Sequence, residues 1–332
     1  MDGNKRVSII DVAKKAGVSI ATVSRVINQN GGYSRETEYR VRKTIEECGF
    51  TPNVNAIGLR TNRSNSIGVI VPDITNEFFA RIIRELDAFL LKRHYSLLVC
   101  NSNEDYNLEN MHIKGLAKKH VDGIIYISGQ NEIAQINEIQ NLPVVYIDRA
   151  PKNADVMVLS DNELGGYLAA NELIRKGCRR ILFLRDTRYA STIQSRRAGY
   201  IRALKESGLE YTEELEMSCF PEYDETRNVM ERLLKEKGIF FDGVFATNDM
   251  MALACVNVFT ENDIDVPEQI KVVGFDNISL TQFTSPQITT VSQNTKELAL
   301  YAGKTILQMI RKEDIKEKIK IIPVKLIVRG TT

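Results

Sequence analysis

Two different hydrophobic periodicities divide the chain. Residues 8–48 hold apolar side chains three and four positions apart in three short runs, the spacing of amphipathic helices. From Ser66 onward, short runs rich in valine and isoleucine alternate with longer stretches of helical spacing. This alternation predicts an all-α head followed by an α/β body of two doubly wound parallel-sheet lobes, with a ligand crevice at the strands' carboxyl ends. The predicted strands are 66–71, 96–100, 122–128, 143–148, 179–184, 241–249 and 271–277.

Local signals bound the three helices of the head. Ser8 and Asp11 have the spacing of a capping box at the start of the first helix. Gly17 can take the left-handed conformation that ends this helix, and Ser19 can cap the next one. We predict helices over 9–16, 20–28 and 35–48.

The second helix has the pattern of a DNA-reading element. Val23, Val26 and Ile27 are spaced to pack inward, which leaves the N-terminal residues on the opposite face. Such a helix, placed after a tight turn, fits the major groove, where an arginine can bond guanine. An ordinary three-helix bundle is the alternative. The candidate DNA contacts are Ile20 and Ala21 for thymine methyl groups, Thr22 and Ser24 for phosphates, Arg25 for guanine, and Asn28.

The charge distribution favours a polyanionic partner for the head. The 332-residue chain has a net charge of +1. Residues 1–63 hold 11 basic and 6 acidic side chains, which gives +5, and the 33 basic and 37 acidic side chains of the remainder give −4. A basic head on a slightly acidic body is typical of nucleic-acid binding, although a basic surface without a partner has the same composition.

The sequence favours a non-enzymatic cytoplasmic protein. We find neither a GxGxxG nor a GxxxxGK[ST] phosphate loop, and the three histidines lack metal-ligand spacing, so no cofactor or metal is expected. The five cysteines are scattered without a CxxC pair, and the apolar runs are too short to span a membrane. A sugar-processing enzyme or a transport binding protein is the alternative from another functional class.

Polar and aromatic side chains collect at the carboxyl ends of the predicted strands. A sugar requires flat apolar faces for its C–H surfaces and planar polar groups that bond vicinal hydroxyls in pairs. An aspartate that ends one strand is more often a cap or turn residue, but repetition across four strands favours a ligand site. The candidates are Asp73, Phe78, Phe79, Asp148, Arg149, Arg196, Asn248, Asp276 and Gln293.

The segment Asp11 to Asn28, DVAKKAGVSIATVSRVIN, resembles the helix-turn-helix of the LacI/GalR transcriptional regulators, and the likeness continues through GFTPN at 49–53 and along the whole chain. It implies a repressor of a carbohydrate-utilisation operon that binds a pseudo-palindromic operator as a homodimer, under the control of a small sugar or sugar-phosphate effector. We expect a DNA-binding domain at 1–51, a hinge at 52–65 and a core at 66–332. The first lobe of this core comprises about 66–160 and 294–320, and the second about 161–290 and 321–332.

The resemblance also assigns roles to individual residues. Asn53, Ala56 and Leu59 match a family segment that forms a minor-groove helix and inserts its leucine between bases. The candidate pocket resembles ribose-type sites, but in FLRDTRY, residues 183–189, many members have a glycine. Arg185 or Arg188 could therefore favour a larger or phosphorylated sugar. Some relatives of this type respond to a phosphorylated carrier protein, which could bind Arg81, Arg84, Lys92 and Arg93 if these are more than solvated surface charge.

Overall fold

The computed structural model describes residues 7–27, 30–50, 63–127, 142–149, 151, 154–188 and 190–332. The chain forms two compact units, Met1–Ser64 and Asn65–Thr332. Four of the predicted DNA contacts lie outside the described residues: Asn28, Asn53, Ala56 and Leu59.

The head contains the three predicted helices. They are α1 (Ile9–Ala16), α2 (Ile20–Ile27) and α3 (Arg35–Cys48). The capping box of Ser8 and Asp11 is present, and Gly17 follows α1 with a φ of 66°. Val12, Val23, Val26 and Val41 are fully buried in a shared apolar cluster. Because this cluster draws on all three helices, it fixes which face of α2 remains exposed.

The first lobe of the larger unit is a parallel sheet with strand order β11-β5-β4-β3-β1-β2. Its apolar side chains pack against helices from both ends of the chain. The strands are β1 (Ser66–Val71), β2 (Ser96–Asn101), β3 (Gly123–Tyr126), β4 (Val144–Ile147), β5 (Met157–Ser160) and β11 (Ile319–Ile322), and the helices are α4 (Glu77–Leu91), α5 (Tyr106–Lys118) and α10 (Thr295–Ile310).

The second lobe has the strand order β12-β10-β9-β8-β6-β7, in which only β12 is antiparallel to its neighbour. Its strands are β6 (Ile181–Asp186), β7 (Glu216–Cys219), β8 (Gly243–Ala246), β9 (Lys271–Asp276), β10 (Thr289–Ser292) and β12 (Lys325–Ile327). Its helices are α6 (Asn162–Arg175), α7 (Ser191–Glu206), α8 (Tyr223–Lys237) and α9 (Asp249–Glu261), with 3₁₀ turns at Glu213–Leu215 and Ser279–Gln282.

The chain passes between the lobes three times: after β5, after β10, and between β11 and β12. The prediction of a helical head and two doubly wound lobes is confirmed. Five strands of three or four residues, β5, β7, β10, β11 and β12, were not predicted, because each is too short to establish a periodicity. Among the helices that the structure describes, none is both long and apolar enough to cross a membrane.

Two glycines allow α6 and α7 to approach within backbone contact. A Cβ on Gly166 would overlap the carbonyl oxygen of Arg196, and a Cβ on Gly199 would overlap the carbonyl oxygen of Glu163. The obstructing atoms are backbone atoms, so rotation of a side chain cannot relieve either clash. This crossing therefore sets the position of Arg196 at the helix contact.

We predict that Gly166→Ala destabilises the folded protein by about 3 kcal/mol, because the new methyl group must force the two helix backbones apart. Urea denaturation measures the change. Gly115→Ala is the matched control: a Cβ there meets no atom within 4 Å, and replacing a glycine inside α5 should add about 0.5–1 kcal/mol of stability. Wild-type stability in Gly166→Ala would contradict the close crossing.

Candidate functional site

A cleft lies between the two lobes of the larger unit. Its walls include side chains that follow β4, β6, β8 and β9, together with the start of α4. The structure brings together most of the predicted effector residues here, whereas Asp73 and Gln293 do not line the cleft. The lining consists of Asn76, Phe78, Phe79, Asp148, Arg149, Asp186, Arg188, Ala190, Thr192, Ile193, Arg196, Thr247, Asn248 and Asp276.

Arg196 is held rigidly in the wall of the second lobe. Its Nε donates to Asn162 Oδ1 at 2.8 Å and its Nη1 donates to the Thr247 carbonyl oxygen at 2.6 Å. The guanidinium carbon lies 3.6 Å from the ring centroid of Phe275, and Nη2 is 3.9 Å from Asp276 Oδ1. Stacking, hydrogen bonds and a carboxylate together offset the cost of burying this charge.

Two cleft residues from the first lobe have buried polar atoms without partners. Asp148, directly after β4, has a φ of 69°, which is uncommon for a residue with a side chain. Within the described part of the chain, neither Asp148 Oδ1 nor Arg149 Nε has a hydrogen-bond partner. An unsatisfied buried polar group costs about 1–3 kcal/mol, so a ligand that bonds both atoms would recover much of that energy.

A chain of ion pairs crosses the cleft. Glu104 Oε1 accepts from Arg149 Nη2 at 2.6 Å in the first lobe and lies 2.8 Å from Arg188 Nη1 of the second. Arg188 also donates through Nε to both carboxylate oxygens of Asp186, at 2.9 Å each. These contacts join the two walls through charged groups.

Burial changes the protonation of the cleft carboxyl groups. It raises the pKa of Asp276 to about 7, against the opposing effects of Arg196 and of the hydrogen bond from Gln293. Burial also raises the pKa of Asp148, although Arg196 and Arg149 act in the other direction. Burial lowers the pKa of Arg149, but the neighbouring Glu104 carboxylate outweighs this effect and the net shift is upward. Burial lowers the pKa of the Arg196 guanidinium, so Arg149 is the cleft cation whose charge is reinforced beside these weak acids.

Three predicted effector residues have structural roles. Asp73 is exposed, and its Oδ1 accepts from the backbone nitrogen and the hydroxyl of Thr75. Asn248 lines the cleft but also caps α9, where its Oδ1 accepts from Met251 N at 2.8 Å. Gln293 is buried behind Asp276 and donates Nε2 to its Oδ1 at 2.7 Å. For Asp73 the structure therefore favours a turn over a ligand contact.

Several cleft residues were missed as site candidates. Asp186 ends β6, so the strand-end signal that singled out Asp148 applied to it as well. Arg188 was noted only as a departure from the family pattern, and Arg185 points elsewhere, since its Nε donates to Glu216 Oε1 at 2.8 Å. Glu104 had no signal in the sequence.

Hydrogen bonds between ionised side chains and neutral groups also connect the lobes. Glu77 of α4 accepts from both the backbone nitrogen and the hydroxyl of Ser279, at 2.8 and 2.7 Å. Arg81, which also pairs with Glu77, donates to the carbonyl oxygen of Asn277 at 2.9 Å. Asn277 directly follows the cleft residue Asp276, so this contact lies next to the candidate site.

The head presents most of the predicted DNA-contacting residues on one face. Ile20 is 47% exposed, and Ala21 and Arg25 are also exposed, opposite the buried Val23 and Val26. Thr22 and Ser24 are half-buried; the Thr22 hydroxyl lies 2.9 Å from Ser19 Oγ, and the Ser19 hydroxyl caps α2 by accepting from Thr22 N. The N-terminal face of α2 is thus available to a groove.

We predict that Asp276 makes stability depend on pH. Its pKa is 3.8 ordinarily and about 7 in the folded protein, so its contribution to stability is complete below 3.8 and is lost as the pH rises through 7. The melting temperature of Asp276→Asn, relative to that of wild type, should therefore rise as the pH increases from about 5 to about 8. Asp87→Asn, which changes an exposed carboxylate of α4, is the control. A constant difference across this range for Asp276→Asn would contradict the raised pKa.

Comparison with known families and proteins assigns both units. Residues 8–53 match the family of bacterial regulatory proteins called the lacI family, and residues 170–332 match a periplasmic binding protein-like domain. A solved structure of the Lac repressor dimer, bound to operator and the anti-inducer ONPF, is 25% identical with a TM-score of 0.90, covering 98% of this chain and 99% of that chain.

Curated relatives span the whole length. The HTH-type transcriptional regulator RegA of Clostridium saccharobutylicum is 32% identical over 331 residues, 98% of this chain and 99% of the relative. The ribose operon repressor of Halalkalibacterium halodurans is 31% identical over 325 residues, 98% of this chain and 97% of the relative. With this helix-turn-helix, these two lobes and relatives that match from end to end, the chain belongs to the lacI family of DNA-binding transcriptional regulators.

Proposed function

We propose that the protein represses a carbohydrate-utilisation operon and that a small sugar in the cleft sets its affinity for operator DNA. The observation that carries this proposal is the pair of buried, unpartnered atoms in the cleft, Asp148 Oδ1 and Arg149 Nε. One is an acceptor and the other a donor, so adjacent hydroxyls complement both. The name of the ribose operon repressor supports the same ligand class.

The proposed effector contacts combine polar and apolar groups. Phe78 and Phe79, whose ring centroids lie 5.2 Å apart, supply an apolar wall at the start of α4. Asp148 and Arg149 belong to the first lobe, and Arg196 and Asp276 belong to the second. A ligand that contacts both lobes binds one lobe arrangement more tightly than another, and this difference couples it to DNA binding. Asn248 and Gln293 hold this set in place.

We infer that the protein acts by binding and not by catalysis, and that it works in the cytoplasm, where operator DNA is found. Its relatives are transcriptional regulators. A phosphorylated carrier protein has less support as the trigger, because three of the four cations proposed to receive it are engaged. Arg81 pairs with Glu77, Arg84 pairs with Glu85, and Arg93 stacks 3.7 Å from the ring centroid of Phe89.

The operator contacts can be tested on DNA from upstream of the protein's own gene. We expect Arg25→Ala to weaken specific binding by about 1–3 kcal/mol, because one guanine contact is lost. Lys43→Ala, an exposed residue of α3, removes the same charge and serves as the control. Gel shifts with and without a panel of neutral sugars measure both operator affinity and effector response. Absence of specific binding to any palindromic site would refute the proposed repressor.

Binding to a pseudo-palindromic operator requires a homodimer, and exposed apolar side chains support one. Phe283 is 81% exposed and Leu280 is 46% exposed in the turn after β9. Two large apolar side chains exposed in the same turn favour an interaction surface, whereas apolar side chains scattered singly over a surface do not.

We expect Phe283→Asp to shift the protein from dimer toward monomer in sedimentation velocity, because it would bury a charge in the interface. Ile239→Asp changes another exposed apolar residue of the same lobe and should leave the dimer intact. A monomeric wild-type protein, or a Phe283→Asp variant that is as dimeric as Ile239→Asp, would overturn this assignment.

A further inference from the structure

Glu104 has an unusual backbone conformation and contacts two arginines of the cleft, Arg149 and Arg188. It lies in the turn between β2 and α5, where Asn103 and Glu104 have φ values of 50° and 57°. Two successive residues with side chains in this region are uncommon, and a glutamate there costs more than a glycine would. The turn is held by Asp105 N donating to the Ser102 carbonyl oxygen at 2.9 Å. This turn places the Glu104 carboxylate between the lobes, with only 8% of its side chain exposed.

Every guanidinium of the cleft already has a carboxylate partner. Arg149 pairs with Glu104, Arg188 with both Glu104 and Asp186, and Arg196 with Asp276. Arg188 uses Nε and Nη2 for Asp186 and Nη1 for Glu104. An anionic ligand group is best bound by a guanidinium with two free N–H groups, and Arg188 has both edges engaged. To bind Arg188, a phosphate would have to displace a protein carboxylate.

The unpartnered atoms require a different ligand chemistry. Asp148 Oδ1 is an acceptor and Arg149 Nε is a donor, and both are buried. Hydroxyl groups can donate to the first and accept from the second, whereas a phosphate dianion can only accept.

We propose that Glu104 is a specificity-determining residue that, by holding Arg149 and Arg188 in ion pairs, reserves the cleft for a neutral polyhydroxyl ligand and excludes phosphorylated or carboxylated sugars. This inference rests on the proposed effector site. It argues against the alternative in which Arg188 favours a phosphorylated sugar, because Asp186 and Glu104 neutralise that arginine.

The test uses Glu104→Gln, which keeps the size of the side chain and removes its charge. Calorimetric titration of the full-length protein with inorganic phosphate, and separately with D-ribose 5-phosphate, should show binding by Glu104→Gln that is at least about tenfold tighter than binding by wild type, the value of one added charge-assisted hydrogen bond. The double variant Glu104→Gln/Arg188→Gln should lose this gain. Phosphate bound by the DNA-binding head is common to all variants and cancels in the comparison.

Glu85→Gln controls for the added positive charge, because Glu85 pairs with the exposed Arg84 on α4. It should bind phosphate as wild type does. If Glu104→Gln does not fold, Asp186→Asn tests the same claim by freeing Arg188 from the other side, with the same expected gain. Equal phosphate affinity in wild type and in the folded cleft variant would overturn the proposal, as would wild-type protein that binds D-ribose 5-phosphate more tightly than D-ribose.

These titrations do not depend on knowing the effector. Failure of the repressor proposal would appear as loss of specific operator binding or of any sugar response in the gel shifts. Failure of the Glu104 proposal would appear as unchanged anion affinity in the folded cleft variant, or as wild-type protein that prefers D-ribose 5-phosphate to D-ribose.

Discussion

The burial of the Arg196 guanidinium is the interaction on which the cleft depends. Removing a charge from water costs several kcal/mol unless the group is paired and hydrogen-bonded. The fold meets this requirement with the Phe275 ring, Asn162, the Thr247 carbonyl and Asp276, drawn from three separate segments of the second lobe. The close contact of α6 and α7 at Gly166 and Gly199 fixes the position of α7, the helix from which Arg196 extends. A change in any of these elements would therefore alter the cleft by moving the Arg196 side chain.

The same burial explains why the cleft can couple ligand to lobe arrangement. Asp276 is held by Gln293 and faces Arg196, and the next residue, Asn277, accepts from Arg81 of the first lobe. Across the cleft, Glu104 joins Arg149 to Arg188. A ligand that bonds Asp148 and Asp276 together would therefore alter contacts made by both lobes. Differential binding of this kind is all that an effector requires to shift a two-state equilibrium.

Part of the candidate site could be predicted from the sequence, because parallel sheets bring the carboxyl ends of their strands to one edge. That rule grouped Asp148 with Asp276, although they lie far apart in the chain, but it does not apply to Arg196, which lies in α7. It failed for Asp73, whose carboxylate is satisfied by its own turn. The role of Glu104 depends on a turn with two positive φ values and on an arginine 84 residues later in the chain, at Arg188, so no local pattern reports it. Sequence periodicity locates elements, but it does not determine which charges they neutralise.

The most direct test of the central claim is a crystal structure of the protein with the neutral sugar that raises its melting temperature most. The account predicts a sugar in the cleft whose hydroxyls bond Asp148 Oδ1 and Arg149 Nε, with the Arg196 guanidinium still stacked on Phe275. A sugar that binds elsewhere, or that lies in the cleft and leaves both of those atoms without a partner, would contradict it.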